Sequence, residues 1–137
     1  MFQNPSADEI REMLLAAKTI AVVGLSNNPD RPSYRVAQAM QAYGHRIVPV
    51  RPGQTAVLGE KAYARLADLP ETPDLVDVFR APEHVPALVD ECIALGVKRL
   101  WLQEGVVNET AAEKARAAGM AVVMDRCVWK DRRALLP

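Results

Sequence analysis

The sequence predicts an α/β fold, a Rossmann-like doubly wound sheet of about five parallel strands with helices on both faces. Three observations predict it. Three times an apolar-periodic segment passes through a glycine into a strand-like run, in "YGHRIVPV", "LGVKRLWL" and "AGMAVVMD". The strand-like runs are nearly continuously apolar, the pattern of parallel strands buried on both faces. The segments between them have about the length of a right-handed crossover helix.

In chain order, an opening helix is announced by "SADE", a capping box in which Ser6 and Glu9 each satisfy an end amide. A first strand at 20–23 ends in a turn at Gly24. The next helix sets Val36, Ala37, Met40 and Tyr43 on one face, closes at Gly44, and leads to a strand at 47–50. The stretch 52–73 is the least regular, a loop with a short helix around 63–67. A third strand at 75–79 precedes a helix with Val85, Leu88, Val89, Cys92 and Ile93 on its apolar face. Gly96 closes that helix, a fourth strand follows at 99–102, then a helix with Ala112, Ala115 and Ala118, Gly119, and a fifth strand at 121–124. The three closing glycines suit left-handed caps, a conformation only glycine enters without steric penalty.

At 137 residues, the chain is read as one domain, 1–137, with one core. Its 17 basic and 17 acidic residues cancel, so no overall positive field draws it to nucleic acid or to an anionic membrane. The start, "MFQNPSADEIRE", is polar and acidic where a secretory signal is basic and then apolar, and no apolar run is long enough for a membrane span. A cytoplasmic location is expected. Cys92 and Cys127 have no metal-ligand spacing and are expected as thiols.

In an open parallel sheet, ligands bind beyond the carboxyl ends of the strands where the chain changes direction. After the first strand come Gly24, Leu25 and Ser26, then a loop with Pro29 and Pro32, and Ser33 as a helix cap. Helix-start amides and serine hydroxyls make an anion site, although a tight turn with an ordinary cap explains the same residues. NAD-binding chains place an acid at the second strand end, about 20 residues past the glycine turn. Here the run is "PVRPG", with Arg51 in that place, which favours a ribose bearing a phosphate. NADP and coenzyme A both fit. At the third strand end "VFRAPEHV" brings Arg80, with Pro82 at a helix entrance, and at the fourth "LQEGVVNET" brings Gln103 and Glu104, with Asn108 as a cap.

Together these strand-end motifs resemble the small single-domain CoA-binding proteins, and more distantly the amino-terminal CoA-binding domain of the succinyl-CoA synthetase α subunit. The resemblance runs from "TIAVVGLSNNPDRPSYRVAQAM" through "GHRIVPVRPG", "DLVDVFRAPEHV" and "VKRLWLQEGV" to "AVVMDRC". It implies a fold that binds coenzyme A or an acyl-CoA. Carried over residue by residue, it implies Gly24, Leu25, Ser26, Arg31, Ser33 and Tyr34 around the phosphates and Val50, Arg51 and Pro52 beside the adenosine. Phe79, Arg80 and Pro82 would wall the pocket, and Gln103 and Glu104 would close it. The chain departs from the family at Arg51, where asparagine is common, and at Asp131 and Arg132, where a Glu-His pair is common.

No catalytic or metal-binding constellation is visible: there is no serine elbow and no HExxH, and His45 and His84 read as surface residues. The chain therefore reads as a CoA-binding protein without catalysis of its own. The alternatives are an NADP-dependent oxidoreductase or a nucleotide-binding regulatory or redox-sensing subunit. Cys127, beside Arg126 after the last strand, is the best candidate for chemistry, mixed-disulfide formation with the CoA thiol. A packed, apolar role is preferred for it, and a structural role for Cys92. A second copy of the chain or another protein is a further expected partner, with Trp129 and the tail "KDRRALLP" as a contact surface, though packing of that tail on the domain is preferred.

Overall fold

In the computed structural model, which describes residues 1–137, strand β1 (Thr19–Val23) lies between β2 (Arg46–Val50) and β5 (Leu75–Val78) and is parallel to both. Strands β6 (Arg99–Leu102) and β7 (Ala121–Val123) extend the sheet in the order β2-β1-β5-β6-β7, five parallel strands as the apolar runs predict. Ile20 sits opposite Ile47 on one side and Leu75 on the other. Because side chains alternate along a strand, Ile20 and Val22 pack with α1 (Ala7–Ala16), α2 (Pro32–Ala42) and α5 (Val128–Leu135). Ala21 and Val23 pack with α3 (Val85–Leu95) and α4 (Glu109–Ala117) on the other face. Each fully buried aliphatic side chain contributes about 1.5–3 kcal/mol, so the two apolar layers hold the sheet.

The helices begin and end for local reasons. Ser6 Oγ accepts from Glu9 N–H while Glu9 Oε1 accepts from Ser6 N–H, the capping box read from the sequence. Asn108 Oδ1 caps α4 by accepting from Ala111 N–H. Gly44, Gly96 and Gly119 follow α2, α3 and α4 at φ of 101°, 75° and 99°. Three positions expected on apolar faces differ: Tyr43, Ile93 and Ala118 are exposed, each in or just past the last turn of its helix, where the face has rotated off the sheet.

Between β2 and β5 the structure departs from the expected loop and short helix. A two-stranded hairpin, β3 (Ala56–Val57) and β4 (Glu60–Lys61), turns at Leu58 and Gly59, both at positive φ. A 3-10 turn covers Leu66–Asp68, and Tyr63 instead bridges Val50 in parallel. That bridge caps one edge of the sheet: Tyr63 N–H donates to Pro49 O, and Arg51 N–H donates to Tyr63 O. Pro49 is tolerated in β2 because its missing N–H falls on this outer side. At the opposite edge Asn4 acts as a substitute peptide group, its Oδ1 accepting from Met124 N–H at 2.8 Å and its Nδ2 donating to Met124 O at 2.9 Å. Phe2 is buried beside it, with the Arg116 guanidinium 4.2 Å from its ring centroid.

The tail forms α5, docked against α1 and α2. Trp129 is half-buried there, as the packed reading expected. Arg126 grips Asp131 through two bonds of 2.7 and 2.8 Å. His45 is buried, which corrects its reading as a surface residue: its Nδ1 bonds Ala17 O at 2.5 Å and its Nε2 accepts from Arg132 Nε. Arg132 also stacks over Tyr43, 4.3 Å from the ring centroid.

Candidate functional site

After β1 the chain leaves through α2 to the outer strand β2, and then returns across β1 to β5. The crevice between the carboxyl ends of β1 and β5 is therefore the switch point of the sheet. A cavity of about 950 Å³ opens there.

Gly24 makes its floor. Its N–H donates to Val50 O, its φ is +86°, and a Cβ added to it would lie 2.2 Å from Phe79 O. No side chain fits between the β1 and β5 tips. The following loop is held by its own polar groups: Ser26 N–H donates to Ser33 Oγ and Asn28 N–H donates to Ser26 Oγ, both at 3.0 Å. Ser33 therefore does not cap α2, as the sequence suggested; Arg31 is at the cap position without a side-chain bond, and Pro32 follows it. Tyr34 and Arg35 N–H both donate to Arg31 O, and Pro32 has no N–H, so Ser33 supplies the one uncommitted amide of the first turn. An anion at this helix end meets few backbone donors and depends on side chains.

Those side chains are cationic. Arg31, Arg51 and Arg80 all line the cavity and none is paired with a carboxylate. Gly24, Ser26, Ser33, Pro52, Phe79, Gln103 and Glu104, all singled out in the sequence, line it as well. Four expected residues do not. Leu25 is wholly buried in the core beneath the turn, Val50 packs in the opposite apolar layer, Tyr34 leans on the core, and Pro82 sits one residue past the lining residue Ala81. Residues not anticipated there are Pro32, Val36, Ala81, Val106 and His84, which the sequence presents as a surface residue; Cys127, the best candidate for chemistry though preferred as a packed thiol, lines it while packing in the apolar layer. Their signal is positional: Ala81, Val106 and Cys127 lie three or four residues past a strand end, Pro32 and Val36 on the first turns of α2, and His84 directly ahead of α3.

The far wall is built by β6 and α5. Gln103 is 3% exposed, and its Oε1 accepts from Val128 N–H at 3.0 Å, which fixes the orientation of its amide. Glu104 is exposed and paired with Lys130 at 3.1 Å. Cys127, the residue before α5, completes this wall at 7% exposure.

Asp77 and Cys92 are buried ionisable groups outside the cavity lining whose titration burial shifts. Asp77, in the middle of β5, is 1% exposed with Oδ1 unpartnered, and burial pushes its carboxyl well above the usual range against one backbone hydrogen bond from Val78. Burial, with a smaller contribution from Glu91, pushes the Cys92 thiol up to about 12.

Sheet order, switch-point crevice and cation-lined rim define a Rossmann-like nucleotide-binding type of domain. The chain belongs to the CoA binding domain family, whose model matches residues 18–132. It is 43% identical over 126 residues to the uncharacterized protein YneT of Bacillus subtilis (strain 168), covering 92% of this chain and 93% of that protein. It is 29% identical over 120 residues to acetate–CoA ligase [ADP-forming] II subunit alpha of Pyrococcus furiosus, covering 80% of this chain but only 26% of that subunit. Among solved structures, a hypothetical protein from Pyrococcus horikoshii OT3 superposes with a TM-score of 0.93 at 32% identity, covering 100% of this chain and 99% of that one. No helix is long and apolar enough to cross a membrane.

Proposed function

We propose that the chain binds coenzyme A or an acyl-CoA along the row of strand ends, without turnover of its own. The observation that carries this reading is the sorting of charge along that row. Arg51 follows β2, Arg31 precedes α2 beyond β1, and Arg80 follows β5. Gln103 and Glu104 follow β6, and Cys127 follows β7. The cavity lining thus holds three guanidinium groups at one end and its single carboxylate at the other. Neighbouring strands lie about 4.8 Å apart, so β2 to β7 spans roughly 19 Å. A long ligand with clustered phosphates and a neutral, thiol-bearing tail matches that gradient, with its 3′-phosphate at Arg51 and its thiol towards Gln103. Family membership and the ligase relatives support the choice of coenzyme A.

Thermal stabilisation by CoA, dephospho-CoA, NAD and NADP at equal concentrations tests the reading, since a ligand at a hundredfold excess over its Kd adds about 2.7 kcal/mol. The expected result is a shift with CoA that shrinks with dephospho-CoA and is absent with NAD. A larger shift with NADP would replace this reading by an NADP-dependent one. Arg51→Ala should weaken CoA more than dephospho-CoA; equal loss for both would remove Arg51 from the phosphate contact.

A further inference from the structure

The thiol end of the cavity contains more than packing requires. Gln103 is 97% buried by its 3% exposure, yet only its carbonyl oxygen is engaged, by Val128 N–H. Its Nε2 has no protein partner and is not among the sealed-off atoms, so the amide donor is left open to the cavity it lines. A donor that reaches the cavity without a protein acceptor is free to bond a ligand carbonyl in place of water. The amide is locked by the backbone of the residue next to Cys127, so donor and thiol share one wall. Cys127 has no disulfide partner and stands at the start of α5, where it makes no side-chain cap bond. Cys127 is 7% exposed at the cavity edge of the α1, α2 and α5 layer in which it packs, whereas Cys92 is 0% exposed within the α3 layer.

We propose that Cys127 is a thiol-exchange site for pantetheine-type disulfides, with Gln103 as the residue that positions the chain. This rests on the CoA-binding reading above and extends it. The pantetheine arm ends in an amide followed by two methylenes and sulfur. Gln103 Nε2 donates to that amide carbonyl, and the ligand sulfur then falls beside Cys127. With CoA disulfide, the Cys127 sulfur attacks one of the two ligand sulfurs. The ligand S–S bond breaks, a Cys127–S–S–CoA bond forms, and the second CoA leaves as a thiol carrying the proton from Cys127. Electrons and atoms balance, and the disulfide itself is the oxidant. A second CoA thiol reverses the step, so the occupancy of Cys127 follows the ratio of disulfide to thiol.

The test uses the reduced 137-residue chain, incubated in parallel with CoA disulfide and with glutathione disulfide at equal concentrations. Intact-mass spectrometry follows the adduct, and peptide mapping of the wild-type protein locates it, so that no variant has to fold for the result to be read. The expected result is one CoA per chain at Cys127, removed by dithiothreitol. It is retained in Cys92→Ser and missing in Cys127→Ser. Glutathione disulfide should react at least about tenfold more slowly, because only the CoA moiety is held against the thiol. Equal rates with both disulfides, or an adduct on Cys92, overturn the proposal. The CoA thermal shift in reducing buffer separates its failure from that of the binding reading. A shift without an adduct ends the exchange site alone, whereas neither shift nor adduct ends both.

Discussion

At Gly24, side-chain size and backbone conformation impose one requirement. A Cβ would meet Phe79 O at 2.2 Å and would force a φ of +86° on a residue that avoids it. Gly24→Ala is therefore expected to cost about 3 kcal/mol or more, the sum of left-handed strain and overpacking, read as a lower denaturation midpoint. The sequence announced this glycine through its place after an apolar run, and Arg51 and Arg80 through theirs. It did not announce Asp77, which sits inside a run that reads as a buried strand. With its folded pKa raised by burial, Asp77 keeps its proton in the native state and loses it on unfolding from about pH 4 upward. Its contribution is fully present below that range and falls as pH rises towards its folded value. Asp77→Asn removes this dependence, so the variant should gain stability relative to wild type between pH 4 and neutrality. A constant difference across that range, measured by chemical denaturation, would contradict the assignment.

Among the elements, α5 depends most on tertiary contacts. Its sequence, "VWKDRRAL", offers no side-chain cap, and an eight-residue helix is marginal alone. Periodicity could not reveal it, because what holds it lies elsewhere in the chain: the Arg126–Asp131 pair, His45 beneath Arg132, and Gln103 against its first turn. Asp131 is 8% exposed in its side chain and Arg126 47%, so solvent screens one partner. Asp131→Ala should cost about 1–2 kcal/mol and increase hydrogen exchange across 128–135. Unchanged exchange there would show that the pair does not anchor the helix. The β3–β4 hairpin escaped notice for a different reason. Its turn residues are Leu58 and Gly59, and a leucine at a φ of 53° carries none of the usual Asn-Gly signal. Buried Val57 and the bond from Gln41 Nε2 to Leu58 O hold it instead.

For the whole molecule, three of the four connections between the main strands carry an α-helix, α2, α3 and α4, each followed by a glycine at positive φ, and the fourth, from β2 to β5, carries the β3–β4 hairpin and a 3-10 turn. This explains why four strand ends locate the crevice from the sequence alone. The residues that line the crevice were less legible: Leu25 and Val50 belong to adjacent strand ends but turn into the core, whereas His84 turns out to solvent and Cys127 packs in the core while lining the cavity. Motif position specifies which strand end a residue occupies; the pleat and the local turn decide which way it points. The two rims of the sheet differ as well. One is paired with a backbone bridge at Tyr63, but the β7 rim is blocked by the two bonds of a single asparagine. A truncation that removes residues 1–5, or Asn4→Ala with Phe2→Ala, would leave a bare strand able to recruit another chain by edge pairing. Such variants should form aggregates on mild heating in proportion to concentration, so any affinity tag is better carried at the far terminus.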